Sequence, residues 1–217
     1  PAAQQSAIKL ALRDFKLSGV ALAGEAKKRF AEISARLSQL SSDFSNHVLD
    51  ATQAYFKPLT EDQLKGLPQS SVDLLKQYGQ QRELDQAVAT LDIPSYLAIM
   101  TYAADRALRE ELYKAYTTRA SDQSEQTEFD NTQVMEEILS LRQEMAQLLG
   151  FNNYAELSLA SKMAPDVATV DQFLVELAKH AHAPAEREIA ELKAIAQQDN
   201  ILDLQPWDTG YYSEKLK

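Results

Sequence analysis

Histidines are the first residues to consider, because histidine is the side chain that most often binds zinc or moves protons near neutral pH. The chain has three, His47, His180 and His182, and none is followed by glutamate. The zinc-binding arrangement His-Glu-x-x-His is therefore absent. On a helix His180 and His182 would point about 200° apart, so only unwinding before Pro184 could bring them to one metal ion. We predict that all three histidines are exposed or partly packed residues.

Carboxylates are the other candidates for chemistry. Acidic residues occur in the pairs Glu110-Glu111 and Glu136-Glu137, and singly at Asp43 and Asp50 among others. Acid–base catalysis needs two carboxyl groups that converge in a cleft and differ in pKa. Adjacent residues of a helix do not face each other, so we expect these pairs to lie on solvated helix faces. An enzyme that relies on carboxylates alone is therefore the weakest of the functions considered.

Other catalytic motifs are absent. The chain has no cysteine, which excludes disulfides, thiolate zinc sites and a cysteine nucleophile. No two of its six glycines are closer than five residues apart, so a dinucleotide-binding GxGxxG cannot occur. Gly19 and Gly24 have the spacing of a phosphate-binding loop, but Glu25 and Ala26 follow where lysine and serine or threonine are required. We expect no catalytic, cofactor-binding or metal-binding residue on this chain.

An aromatic group near the end of the chain has two interpretations. Trp207 and Tyr211 are four residues apart and share one face of a predicted helix, and Tyr212 follows directly. Such a group could stack against a substrate. Packing in a core or an interface is the interpretation that the spacing favours.

Composition narrows the possible partners. The 22 basic and 32 acidic residues give a net charge of −10, which repels the phosphates of nucleic acids. The run from Lys27 to Arg29 is flanked by Glu25 and Glu32 and is predicted to be a solvated helix face. No apolar run approaches the roughly 20 residues of a membrane span. The absence of cysteine fits a reducing compartment, and we expect a cytoplasmic protein.

The elements that must position these residues are mostly helices. The clearest helix extends from about Glu25 to Ala51, where an apolar stripe repeats at gaps of three and four residues. Its members are Phe30, Ile33, Leu37, Leu40, Phe44 and Val48. Asp105 and Asn153 are predicted N-caps, and Thr169 with Gln172 is predicted to cap a long helix that Pro184 kinks or splits. The pattern predicts a mainly α protein, a helical bundle with one small β-hairpin.

Two short segments are predicted to form that hairpin. The first is 53–59, which ends near Pro58, and the second is 87–93, which alternates loosely and is closed by Pro94. The connection between them should hold a small helical insert that begins with the capping pair Thr60 and Gln63.

The organisation of the chain is predicted from its least periodic stretch. Residues 119–130 are polar and aperiodic, and they are interpreted as a surface loop between a helical lobe with the hairpin, 1–118, and a helical segment, 131–217. The chain begins with Pro1 rather than methionine, and a helix opened by Pro206 continues to Lys217 without a glycine or asparagine stop. These ends predict a fragment of a longer protein.

Several segments together resemble the thimet-oligopeptidase family of zinc metallopeptidases. They follow one another in the family's order and cover essentially all of the chain. The segments are LRDFKLSGVAL (12–22), FSNHVLDAT (44–52), TLDIPSYLAIMTYAAD (90–105), LREELYKAYTTRASD (108–122), LLGFNNYAELSLASKMA (148–164) and LQPWDTGYYSEKLK (204–217).

The resemblance implies a helical, two-lobed peptidase that cleaves short peptides inside a deep channel. Family members hold zinc with the two histidines of His-Glu-x-x-His and a downstream glutamate, and none of these ligands can be placed on this chain. The resemblance places the chain in the middle of such a protein, before the catalytic helices. Its implied role is channel scaffold, inactive alone, with zinc and short peptides bound by the parent enzyme.

A second interpretation is a free-standing helical interaction module without catalysis. A reading frame that continues past Lys217 to a His-Glu-x-x-His motif would favour the peptidase, and a stop codon there would favour the module. If the chain is a fragment, apolar faces left uncovered should cause self-association of the isolated chain.

Overall fold

The computed structural model describes all of residues 1–217 and is mainly α-helical, which confirms the predicted fold class. Two short strands and two 3₁₀ turns, Glu61–Leu64 and Thr127–Phe129, complete its regular structure. The helices are α1 (Ala2–Leu17), α2 (Gly24–Ala54), α3 (Gln69–Gln80), α4 (Ile93–Tyr102), α5 (Arg106–Thr118), α6 (Thr132–Leu148), α7 (Tyr154–Leu159), α8 (Val167–Gln198) and α9 (Pro206–Lys215). None of them combines the length and the apolar composition that crossing a membrane requires.

The chain divides into two compact units, and each unit is built from two separate stretches of sequence. Unit 1 comprises Pro1–Ser45 and Thr132–His180, and unit 2 comprises Asn46–Asn131 and Ala181–Lys217. Two of the three bounds fall within α2 and α8, so each of these long helices contributes residues to both units, and the third falls directly before α6.

The core of unit 1 forms where α2 meets α6. Ile33 and Leu40 of α2 are buried together with Leu141 of α6. Partly buried apolar side chains surround them, namely Leu37, Val134, Ile138, Met145 and Leu148. The apolar stripe predicted on α2 is therefore the face that the fold buries.

Two arginine–glutamate pairs flank this apolar contact. Arg29 Nε lies 2.6 Å from Glu144 Oε1, and Arg36 Nε lies 2.6 Å from Glu137 Oε1. In each pair Nη2 also donates to the second carboxylate oxygen at 2.7 Å. The pairs follow opposite order along the two helices, so α2 and α6 are antiparallel. Because these four side chains are 40–48% exposed, solvent screens the pairs and they add little to stability.

Unit 2 contains the predicted hairpin, with strands shorter than expected. Strands β1 (Phe56–Pro58) and β2 (Val88–Thr90) pair antiparallel, with Lys57 opposite Ala89. The first predicted strand, 53–59, began too early because α2 continues to Ala54. The second, 87–93, ended too late because Pro94 does not close a strand. It lies in the first turn of α4, where its missing N–H costs no hydrogen bond.

The hairpin packs into the core of unit 2. Its connection holds the first 3₁₀ turn, which is the predicted helical insert, followed by α3. The Gln63 side chain accepts a hydrogen bond from Thr60 N at 3.1 Å. Helices α3, α4 and α5 supply four of the core's nine buried apolar side chains, and the hairpin, the first 3₁₀ turn and the adjoining segments supply the others. The core consists of Leu59, Leu64, Leu75, Ala87, Ala89, Ile99, Ala103, Leu108 and Leu112.

Helix α8 corrects two expectations. It begins at Val167, and Asp166 Oδ1 accepts a hydrogen bond from Thr169 N at 2.7 Å, so the predicted Thr169–Gln172 cap is wrong by one turn. Pro184 does not split the helix, which continues to Gln198. Proline removes only its own backbone donor, and the stretch around it is exposed, so water can hydrate the carbonyl group that lacks a partner.

Candidate functional site

The most highly connected polar cluster of the chain lies where α5 meets α9, within unit 2. Asp105 caps α5 as predicted, since its Oδ1 accepts hydrogen bonds from Ala107 N at 2.9 Å and Leu108 N at 3.1 Å. At the start of α9, Asp208 reaches back to accept a hydrogen bond from Gln205 N at 3.0 Å. The two helix starts thereby fix the side chains that form the cluster.

One buried carboxylate joins two arginines at the centre of the cluster. Asp208 has no exposed side-chain surface, and its Oδ1 lies 2.9 Å from Arg109 Nη2. Its Oδ2 lies 2.8 Å from Arg106 Nη2. Burial alone would raise the pKa of Asp208. Hydrogen bonds from Arg106, Gln205 and Arg109 outweigh burial and hold that pKa below its ordinary value.

Backbone oxygens satisfy the rest of the Arg109 guanidinium. Its side chain is 1% exposed, Nη1 donates to Ala103 O at 2.7 Å, and Nε donates to Trp207 O at 3.2 Å. Arg109 therefore connects the end of α4, its own helix α5 and the first turn of α9. A buried charge that is this fully hydrogen-bonded fixes the register of the elements that hold it.

Aromatic rings and a second ion pair complete the cluster around a cavity of about 290 Å³. The Tyr211 ring centroid lies 4.1 Å from the Arg109 guanidinium carbon and 4.7 Å from Lys215 Nζ. Lys215 Nζ lies 2.7 Å from Asp199 Oδ2, and this pairing lowers the pKa of Asp199. Tyr212 donates to the same carboxylate at 3.2 Å.

This arrangement stabilises structure and offers no reacting group. Asp208 is paired with Arg106 and Arg109, and Asp199 is paired with Lys215. No carboxylate of the cluster faces a second one as an acid–base pair would require. In the whole chain, no group of three or more His, Cys, Asp or Glu side chains is arranged to hold a metal ion.

The three histidines lie on helices, and their contacts are with residues outside the cluster. His47 Nδ1 lies 2.9 Å from the Oδ1 atom of buried Asn131. His180 Nδ1 lies 2.7 Å from Glu176 O one turn earlier, and His182 Nδ1 lies 3.4 Å from Glu186. His180 and His182 are both exposed. The three histidines therefore make separate contacts and do not converge on one site.

The paired carboxylates bind different cations. Glu110 accepts from Lys114 at 2.6 Å, whereas Glu111 lies 2.7 Å from Lys57. Glu137 binds Arg36, as described for unit 1. Because adjacent residues diverge on a helix, neither pair forms a converging acid–base site.

The predicted aromatic group divides between packing roles. Tyr212 is buried and packs with Leu192 and Ala196 of α8. Trp207 lies 5.9 Å from Tyr113, ring to ring, and 5.6 Å from Lys114 Nζ. Packing, the interpretation that the spacing favoured, describes both residues.

Sequence reasoning missed the centre of the cluster. Arg106, Arg109 and Asp208 were not singled out, although Arg106 and Arg109 are three residues apart on one helix face. Their partner lies about a hundred positions further along the chain, and no local spacing could have revealed that pairing.

Comparisons with known proteins show the family of the chain. Residues 99–217, more than half of the chain, match the model of peptidase family M3, and this stretch contains the whole cluster. The chain belongs to peptidase family M3. It is 51% identical to oligopeptidase A of Escherichia coli K12 over 99% of its own length, and 50% identical to oligopeptidase A of Haemophilus influenzae. The likeness extends to the probable cytosolic oligopeptidase A of Arabidopsis thaliana, at 38% identity.

These relatives are much longer than the chain. The aligned region is 32% of the length of each of the three oligopeptidases, while it includes 99% of the 217 residues. The chain thus spans about a third of the relatives it matches.

Proposed function

We propose that this chain is a structural part of a zinc-dependent oligopeptidase that hydrolyses short peptides in a channel. The observation that carries the proposal is the 51% identity to Escherichia coli oligopeptidase A over 99% of the chain. In this proposal the helices of 1–217 form part of the channel wall and limit the size of the substrate. The protein acts in the cytoplasm on short peptides, and the net charge of −10 argues against nucleic-acid partners.

Zinc binding is assigned to residues other than those of this chain. In a peptidase of this kind zinc polarises the scissile carbonyl and lowers the pKa of a bound water. The side chains present do not fit such a site, because the histidines make separate contacts and no group of three potential ligands converges. The part that 1–217 plays is positional, and the Asp208 cluster fixes α9 against α5.

The test is a peptidase assay of the purified 217-residue chain. A quenched fluorescent peptide of about eight residues is incubated with the chain and added zinc, with and without a chelator, and Escherichia coli oligopeptidase A is the positive control. We expect no chelator-sensitive cleavage by the chain. Zinc-dependent turnover that persists in highly purified protein would overturn the proposed scaffold role.

A further inference from the structure

A groove in unit 1 lies along helix α1 and has a volume of about 640 Å³. Its α1 lining residues stand at positions 5, 8, 9, 12, 13, 16 and 17, a spacing that places them on one face of the helix. The apolar members of this face are Ile8, Leu12 and Leu17. At a rise of about 1.5 Å per residue, this wall of the groove is about 18 Å long.

The other wall is also apolar, and the turn that ends α6 fixes it. Gly150 has a φ of 85°, in the left-handed region that glycine adopts readily, and Phe151 N donates a hydrogen bond to Ala146 O at 2.9 Å. This turn brings Leu149 and Phe151 to the groove, and Ala160, the residue after α7, completes the wall. The groove therefore has an apolar wall on each side.

The charged groups of the groove are all cationic. Lys9, Arg13 and Lys16 line it, and no aspartate or glutamate does. Arg13 has the exposed neighbour Asp14 as its ion-pair partner, whereas Lys9 and Lys16 form no ion pair. Arg13 and Lys16 are three residues apart, so they concentrate positive charge near one end of the groove. Although the whole chain has a net charge of −10, this groove attracts anions.

The size of the groove favours an alkyl chain over a helix as its occupant. A helix about 18 Å long and about 10 Å across has a volume of roughly 1,400 Å³, more than twice that of the groove. An acyl chain spans half of the roughly 30 Å hydrocarbon core of a bilayer, or about 15 Å, and Lys16 and Gln5 are about 16 Å apart along the helix axis. A volume of about 640 Å³ is also typical of a small-molecule site.

We propose that this groove binds a single-chain anionic amphiphile, a fatty acid or an alkyl phosphate. The headgroup binds Lys16 and Arg13, and the alkyl chain lies between the two apolar walls and extends along α1 toward Gln5. Burial of the alkyl chain supplies most of the binding free energy, and the headgroup fixes the orientation. All residues of the groove belong to unit 1, so the proposal does not depend on peptidase activity.

Calorimetric titration of the 217-residue chain tests the ligand chemistry, with every probe kept below its micelle-forming concentration. The probes are dodecanoate, dodecyl phosphate, octanoate and dodecyltrimethylammonium. We expect a Kd of about 0.1 mM for the preferred dodecyl anion and at least about tenfold weaker binding of octanoate and of the cation. Comparison of dodecanoate with dodecyl phosphate distinguishes the two headgroups. No saturable binding of either anion up to about 1 mM, or equal binding of the cation, would overturn the proposal.

Lysine variants test the position of the headgroup. Lys16→Gln removes one of its two cations, so we expect about fivefold weaker binding of dodecanoate. Lys9→Gln, about 10 Å further along α1, should change the affinity by about twofold or less. Lys179→Gln is the matched control, because Lys179 is an exposed lysine without an ion pair, lies on the helix that exposes Phe173 and Leu177, and does not line the groove. An equal effect of all three substitutions would mean that amphiphiles bind any exposed apolar row, and it would contradict the site.

Ala160→Trp tests the groove itself, because a large ring on that wall fills the space of the alkyl chain. We expect no saturable binding of dodecanoate by this variant, and circular dichroism shows whether it folds. If it does not fold, the variants of Lys9 and Lys16 still decide, because both lysines are exposed. Unchanged affinity in folded Ala160→Trp would overturn the proposal.

A synthetic peptide of residues 166–180 is the probe for a helix as the occupant, because this stretch combines acidic residues with exposed apolar ones. We expect the peptide not to compete with dodecanoate. Displacement of dodecanoate by the peptide would identify the groove as a docking surface for a helix and would refute an amphiphile site.

Discussion

Asp208 is a single carboxylate between two arginines, one of which is almost completely buried. Burying such an ion pair removes water from both charges, and only well-placed hydrogen bonds offset that loss of hydration. Here both carboxylate oxygens are bonded, and each guanidinium also reaches a backbone oxygen. Loss of the carboxylate would leave the charge of Arg109 buried without a counter-charge.

Asp208→Asn should therefore destabilise the chain by about 3 kcal/mol at pH 7, since one partner of a buried ion pair is removed. The folded-state pKa of Asp208 is lowered, so its contribution is present above the ordinary carboxylate pKa and is lost as pH falls through the folded value. The difference between wild type and variant should shrink below about pH 4. Urea denaturation at several pH values measures it.

Asp199→Asn is the matched control for that measurement. Asp199 also has a lowered pKa and a lysine partner, but its side chain is 44% exposed. We expect a loss below about 1 kcal/mol, as for other exposed pairs. Equal losses for the two variants would contradict the assignment of Asp208 as the buried centre of the cluster.

For single residues, contacts between neighbours in sequence were predictable, whereas contacts between distant positions were not. Asp105 and Asn153 were recognisable because an N-cap precedes its helix directly, and the structure confirms both. Arg109 and Asp208 are equally well bonded, but their pairing depends on tertiary packing.

Among the elements, the contact of α2 with α6 shows which kind of interaction dominates. Leu40 is 1% exposed in that contact, whereas Arg36 at its edge is 48% exposed. We expect Leu40→Ala to cost about 3 kcal/mol, whereas Arg36→Ala should cost only a small fraction of that because its ion pair is exposed to solvent. Chemical denaturation of the two variants compares them. A larger loss for Arg36→Ala would mean that the ion pairs, not the apolar stripe, hold these helices.

Element types were predictable from the sequence, and some ends were not. The 3–4 spacing predicted α2 because a long stripe is a strong signal. The short strands were bounded wrongly because a proline near a strand end fits equally well in the first turn of a helix. Helix α8 began earlier than expected because Asp166 competes with Thr169 as a cap.

Over the whole molecule, helices α1 and α8 expose the longest rows of apolar side chains. Helix α1 has no buried residue and exposes Ile8, Leu12 and Phe15 by 58–61%. The first half of α8 exposes Phe173 by 63% and Leu177 by 54%. Exposed apolar stripes of this kind favour association with another surface.

We expect the isolated chain to form dimers or larger oligomers through these stripes. Light scattering coupled to size-exclusion chromatography measures the mass as the concentration is raised. Leu12→Glu and Phe173→Glu should shift the mass toward the monomer, while Lys9→Glu, next to the stripe of α1, serves as a charge control. A monomeric wild type at high concentration would contradict the prediction.

Family membership could be predicted from the sequence because it depends on many short segments in one order. The lobe boundaries, 1–118 and 131–217 with the loop 119–130 between them, stay a prediction. The channel and its zinc centre stay predictions too, because their defining residues cannot be placed on this chain.

The interleaved composition of the two units has a consequence for chain cleavage. A single cut near Glu125 would yield two pieces, and each piece would contain residues of both units. Leu40 and Leu141 would then belong to different polypeptides, as would Arg109 and Asp208, while their contacts could persist. A nicked sample should thus behave as one particle under native conditions and separate only on denaturation. The same interleaving means that neither unit can be produced from one continuous stretch of sequence.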